Sequence, residues 1–161
     1  MTLLLQPITD RVRDLAAQTF LSDGFHAFVV LANYGGRIQP ATAAFTCPEE
    51  KDAFAAGLLR DIASGWLREY VLICEAWTAA DGHEGEALAR LRDRGTLETF
   101  PHRAEILTIL YTGPETERFW MAAIRRDPLR LEPWTAPSAM PGGFPLSRFA
   151  GLFEAVRQGR A

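Results

Sequence analysis

The sequence predicts an α+β domain: a mostly antiparallel sheet of about five strands with helices packed on it. Three observations carry that prediction. Two long runs, Glu69 to Trp77 and Arg103 to Tyr111, are rich in β-formers and apolar through their centres. A Gly35-Gly36 pair joins two further β-rich runs, as a tight hairpin requires, because both turn residues can take positive φ. Around these runs, apolar residues recur at helical spacing. At 161 residues the chain suits one domain with one substantial core.

Each element follows from a local pattern. Ile8, Val12, Leu15, Ala16, Thr19 and Phe20 share a helical stripe, and Gly24 is placed to end it, which predicts a helix over about 9–21. The hairpin follows, and pairing Tyr34 with Arg37 sets its register. His26, Phe28, Val30 and Ala32 then lie beside Phe45, Ala43, Ala41 and Gln39. Pro40 cannot donate to a ladder, so its strand belongs at an edge or carries a bulge. Thr46-Cys47-Pro48-Glu49 reads as a helix start, with capping-box spacing from Thr46 to Glu49 and a proline in the first turn. Phe54, Leu58, Leu59 and Ile62 continue that helix to about Ser64-Gly65.

The strand over about 67–78 is apolar on both faces and is expected at the centre of the sheet. Residues 79–100 change character, with three glycines and many charges. They read as a mobile surface insertion holding a short helix around 84–92. A second hairpin runs over 103–112 and 117–126, and a brief extended piece then reaches Trp134. Residues 135–145 form a linker, stiff at its prolines and loose at its glycines. Leu146, Phe149, Leu152, Phe153 and Val156 line one face of a last helix, which must dock on its own domain or on a partner. The expected order is αββαβ(insertion)ββα, with a core over 1–134, the linker, and the helix over 146–161.

Composition narrows the function. Apolar residues are 48% and charged residues 23% of the chain, an ordinary globular balance. A net charge of −3 argues against a general nucleic-acid binder. Lys51 is the single lysine among seventeen basic residues. The opening Met-Thr-Leu-Leu-Leu run is too short for a signal segment, and no stretch nears the roughly 20 apolar residues a membrane span needs. Cys47 and Cys74 cannot build a disulfide framework and sit in no zinc-ligand spacing. A reduced bacterial cytoplasm is the expectation, with no cofactor, metal, membrane or nucleic-acid partner.

The candidate chemistry lies in acids set inside apolar strands, because ionised groups are rarely buried without a partner. Period-two alternation puts Glu75 on one face with Val71, Ile73 and Trp77, and Glu105 on one face with Arg103, Leu107, Ile109 and Tyr111. The second hairpin brings Arg126 close to Glu105. Glu75, His102, Arg103 and Glu105 are therefore the candidate cluster at one end of the sheet. They would serve as an acid/base or metal site, or as a structural ion-pair network where strands meet water. The structural network is the favoured expectation, and no residue is assigned a catalytic role. His102 and Glu105 have His-x-x-Glu spacing, which on a strand turns the two side chains to opposite faces. His83 in the insertion is expected to be solvated, and His26 structural. Cys47 at a helix start has Glu49 and Glu50 opposing any thiolate. The aromatic residues Trp66, Trp77, Trp120, Trp134, Phe119, Phe149 and Phe153 exceed what one thin sheet face hides, as at protein interfaces, unless the core is generous.

The Glu75-Ala76-Trp77 strand end and the Pro101-His102-Arg103-Ala104-Glu105 strand start resemble small uncharacterised prokaryotic proteins with a similar Glu-Ala-Trp strand and Pro-x-Arg-x-Glu start. That resemblance covers the middle third of the chain and implies no activity. The element order is similar to that of roadblock-type dimerisation domains, which implies a homodimer. With no catalytic signature in sight, the expected function is a non-enzymatic interaction or accessory module, with a homodimer or another protein as partner. The alternative is a small enzyme or small-molecule binder built on the Glu/His/Arg cluster.

Overall fold

The computed structural model describes residues 4–140 and 146–160. It is an α+β domain: one six-stranded antiparallel sheet with helices on both faces. The elements are α1 (Thr9–Asp23, entered by a 3-10 turn at Gln6–Ile8), β1 (Phe28–Tyr34), β2 (Arg37–Ala43), α2 (Pro48–Ala63) and β3 (Leu67–Ala79). They continue as α3 (Glu84–Arg94), β4 (Arg103–Thr112), β5 (Glu117–Arg126), β6 (Leu129–Leu131), a 3-10 turn at Ser147–Phe149 and α4 (Leu152–Arg157). The strands lie in the order β2-β1-β3-β4-β5-β6. The sixth strand is the extended piece after Pro128, which folds back onto β5.

Strand register follows the turns. Tyr34 faces Arg37 and Phe28 faces Ala43 in the first hairpin, and Thr112 faces Glu117 in the second. Gly35 and Gly36 take φ of 59° and 95°, and the Gly36 N–H donates to Asn33 Oδ1 at 3.0 Å. A Cβ on Gly35 would also press on the Trp66 ring. α1 stops at Gly24, whose φ of 78° lets its N–H donate to Phe20 O at 2.8 Å. α2 begins one residue later than the capping-box spacing predicts. Pro48 occupies its first position, so Cys47 becomes the N-cap, and Glu50 rather than Glu49 accepts the Thr46 N–H, at 2.6 Å.

β3 runs between β1 and β4 and divides the core into two layers. Tyr70, Leu72 and Cys74 face α2, where Leu58, Ile62, Leu110, Phe119, Phe149 and Phe153 pack with them. α4 lies against α2, and the Tyr70 hydroxyl donates to Phe149 O, so the last helix packs on its own domain. Residues Pro141 to Pro145 of the linker lie outside the described residues. On the opposite face, Val71, Ile73, Leu107, Ile109, Tyr111 and Trp120 pack under α1 through Leu5, Val12, Ala16 and Phe20. Each such fully buried large side chain contributes about 1.5–3 kcal/mol.

Most of the aromatic surplus is core. Phe119, Trp120, Phe149 and Phe153 are buried, Trp77 and Trp134 are half-buried, and Trp66 alone among the tryptophans is exposed. Residues 79–100 hold α3 and a small core of their own, in which Ala87, Leu97 and Phe100 pack with Trp77, Ala79 and Leu91.

Candidate functional site

β3 carries two acids on the α1 face, Glu69 and Glu75. Six residues of strand separate them, about 20 Å. α1 covers the same face with 15 residues, about 22 Å of helix. The match has a consequence: each acid sits at one end of the α1 segment.

Glu69 is 4% exposed and holds the entrance. Its Oε1 accepts the Leu5 N–H at 2.6 Å and Asn33 Nδ2 at 2.9 Å, and its Oε2 accepts the Tyr111 hydroxyl at 2.9 Å. Three neutral donors thus solvate a buried carboxylate. Burial, and then the bond to Glu69, pushes the Tyr111 phenol well above its ordinary value. Gly113 belongs to this arrangement, because a Cβ there would collide with the Tyr111 hydroxyl.

Glu75 holds the exit. Its Oε1 accepts the His26 N–H at 2.7 Å, and its Oε2 lies 3.7 Å from Arg126 Nη2. Arg126 donates from Nε to Glu105 Oε2 at 2.7 Å and from Nη1 to Gly24 O at 2.8 Å. Its guanidinium also lies 5.7 Å from the centre of the Phe20 ring. The bond to Glu105 raises the Arg126 pKa further above its ordinary value. A cation at a helix C-terminus is favoured by the helix dipole as well.

Of the four candidate residues, the fold therefore brings Glu75 and Glu105 together and leaves out the other two. Arg103 turns its guanidinium over Trp77, 4.5 Å from the ring centre, and His102 stacks on His83 with centroids 3.8 Å apart. The Glu75–Arg126–Glu105 group bonds to backbone at both ends of the α1–β1 connection, and the pocket directly between Glu75 and Glu105 is about 110 Å³. That is too small for an organic substrate. A wider groove of about 950 Å³ crosses the strand ends past Arg103, Ala104, Glu105, Met121 and Ala123, so two of the four candidate residues line it. Two of its charged groups, Arg125 and Glu132, pair with each other at 3.4 Å. Chemically, the acid pair holds a helix end through Arg126 and the His26 N–H.

Sequence reasoning missed Glu69 as a partner of Glu75. The signal was present: positions 69 and 75 share strand parity, and both interrupt apolar runs. The donors that make Glu69 tolerable come from Leu5, Asn33 and Tyr111, which are far away in the chain.

A separate cleft of about 550 Å³ opens on the α2 face between the N-terminus of α2, the end of β3 and the loop after α3. Phe28, Phe45, Phe149 and Trp77 wall it, with Cys47 and Lys51 at its α2 side. Lys51 makes no ion pair with any described residue. Cys74 reaches the cleft from β3, but burial pushes its thiol up to about 11 and Thr108 Oγ1 lies 3.4 Å away, so it behaves as a core residue. No described helix is long and apolar enough to cross a membrane. No family model, curated protein or solved structure matches the chain.

Proposed function

We propose that the protein is a non-enzymatic interaction module that works as a homodimer, joined through the open half of its α1 face. The observation that carries this reading is an apolar gutter between α1 and the β1–β2 hairpin. α1 leans toward the β5 side of the sheet, where Arg13 lies over the Trp120 ring at 4.7 Å. Leu15, two positions on and about 200° around the helix, projects from the opposite flank and is 53% exposed. Ile8, one heptad earlier, joins it. Val29, Leu31 and Ile38 present half-buried side chains on the same sheet face. Among the described residues no helix packs closely over that half of the sheet.

The sheet side of the patch, Val29, Leu31 and Ile38, carries no charged side chain, so apolar burial drives its occupation. A second copy is always present and buries the patch twice in one isologous contact. Pro40 weakens the β2 edge for strand addition, which favours face-to-face docking. Sedimentation equilibrium should find a dimer at micromolar concentration and a monomer for Leu31→Glu with unchanged circular dichroism. A wild-type chain that stays monomeric at about 100 µM, far above that micromolar range, removes the proposal.

The 550 Å³ cleft supports a second reading, in which the protein binds a small aromatic anion against Lys51. Anilinonaphthalene sulfonate fluorescence should then rise on wild type and fall for Lys51→Met. Equal fluorescence on the two chains counts against this reading.

A further inference from the structure

We infer that His83, Glu86 and His102 form a binding site for a divalent transition-metal ion of the zinc class. The three side chains come from two segments, the first turn of α3 and the residue before β4. Their ligand atoms all lie within 4.8 Å of one another. His83 Nδ1 is 3.6 Å from Glu86 Oε1, and the two imidazole rings stack at 3.8 Å with an interplanar angle of 8°.

The backbone holds the two segments together. Ala80 N–H donates to His102 O at 2.7 Å, and His83 N–H donates to Ala80 O at 3.0 Å. Leu97 and Phe100 pack with Ala87 of α3, which ties the rest of the excursion to the end of β3. The ligand-bearing backbone is therefore fixed, while the two rings are held by stacking rather than by hydrogen bonds. His83 Nδ1 is buried with no hydrogen-bond partner, and no hydrogen bond among the described residues restrains the His102 ring. A buried ring nitrogen without a partner is a costly arrangement that a ligand would relieve.

The donor set selects the ion. Two imidazoles and one carboxylate suit zinc, copper or nickel, whereas magnesium and calcium demand oxygen ligands. Tetrahedral zinc sets its nitrogen and oxygen ligands about 2.0–2.1 Å from the metal, so the three atoms must close by on the order of 1.5 Å. The stacked rings have nearly parallel planes, so one of them must turn for both to face a single ion. Rotation of either ring about Cβ–Cγ turns them toward a shared point. His102 is exposed and His83 is half-buried, so the His102 ring can turn into water to meet the His83 Nδ1. Three protein ligands leave one tetrahedral position open.

Sequence spacing hides this site. His83-x-x-Glu86 spans one helical turn, but the third ligand is sixteen positions further on and arrives only through the β3–β4 pairing.

Calorimetric titration of the full chain with zinc sulfate tests the inference. One ion should bind per chain with a dissociation constant of micromolar or below. His102→Ala and His83→Ala should each weaken binding at least tenfold, Glu86→Gln should weaken it less, and Cys47→Ser should leave it unchanged. Magnesium at millimolar concentration should not compete. Unchanged circular dichroism confirms that the variants fold. No zinc binding by wild type below 100 µM, or binding that survives His102→Ala intact, overturns the inference. Loss of binding in Cys47→Ser with retention in His83→Ala places the ion elsewhere and overturns it equally.

Discussion

The two ends of α1 are held by the same residue type in opposite ways. At the entrance, Glu69 is buried and solvated by an amide N–H, a carboxamide and a phenol. At the exit, Glu75 is part-exposed and shares one guanidinium with Glu105 and with the carbonyl of Gly24. Dipoles suffice for the first acid because they are fixed by surrounding structure and none is left over. The second end meets water, where a full cation is tolerated and gains less. An acid inside a strand therefore need not signal chemistry; its meaning depends on which groups are spent on it.

Breaking the entrance should produce the largest effect. Glu69→Ala removes the shared acceptor of the Leu5 N–H, Asn33 and Tyr111 and leaves a cavity, with an expected loss of about 3–5 kcal/mol in urea denaturation. That is a large share of a typical domain stability of roughly 5–15 kcal/mol. Glu69→Gln keeps the shape and loses the charge, and should cost roughly half as much. A loss below about 1 kcal/mol for Glu69→Ala would mean that the entrance is not held by this acid.

Arg126→Met should cost about 1–2 kcal/mol, because the side chain is 44% exposed and its pairs are screened. The loss should shrink in 1 M salt, since screening already weakens the wild-type pairs. The Glu69→Ala loss should not change with salt. That contrast separates the two ends more sharply than either magnitude.

Tyr111→Phe removes one donor to Glu69 and should cost about 1 kcal/mol at pH 7. It should also alter the alkaline limb. A phenol whose folded pKa lies above its unfolded value stabilises the fold fully below the unfolded pKa, and that stability is lost as pH rises through the folded value. Tyr111 is raised from 10.0 in this way, and Tyr34, half-buried and bonded to Asp61, is pushed up to about 12. Stability should therefore fall from about pH 10 upward in wild type, and less steeply in Tyr111→Phe. Identical alkaline limbs would show that the Tyr111 phenol titrates as it does in the unfolded chain. The smallest effect belongs to Glu105→Gln, below about 0.5 kcal/mol, because Arg126 keeps Glu75 and Gly24.

Much of this was legible in the sequence. The glycine pair, the alternation in β3 and β4 and the Pro40 edge locate the hairpins and the register, because strand pairing obeys local rules. Parity assigns Glu75 and Glu105 each to a face, but that the two are neighbours rests on the pairing of β3 with β4 and was not legible. Three further things were not legible. Arg103 and His102 adjoin the acids in sequence, but an aromatic face and a stacked ring claim them, and only packing decides that. Glu69 draws its donors from across the molecule. The histidine pair depends on a pairing of β3 with β4 that no local spacing encodes.

Native-state hydrogen exchange of the α1 amides tests most directly whether the two acids are its clamps. In Arg126→Met, the last turn around Phe20 to Gly24 should lose protection while the first turns keep theirs; in Glu69→Gln, the loss should begin at Leu5 and the first turns. Uniform protection along α1 in both variants, equal to wild type, would contradict the account.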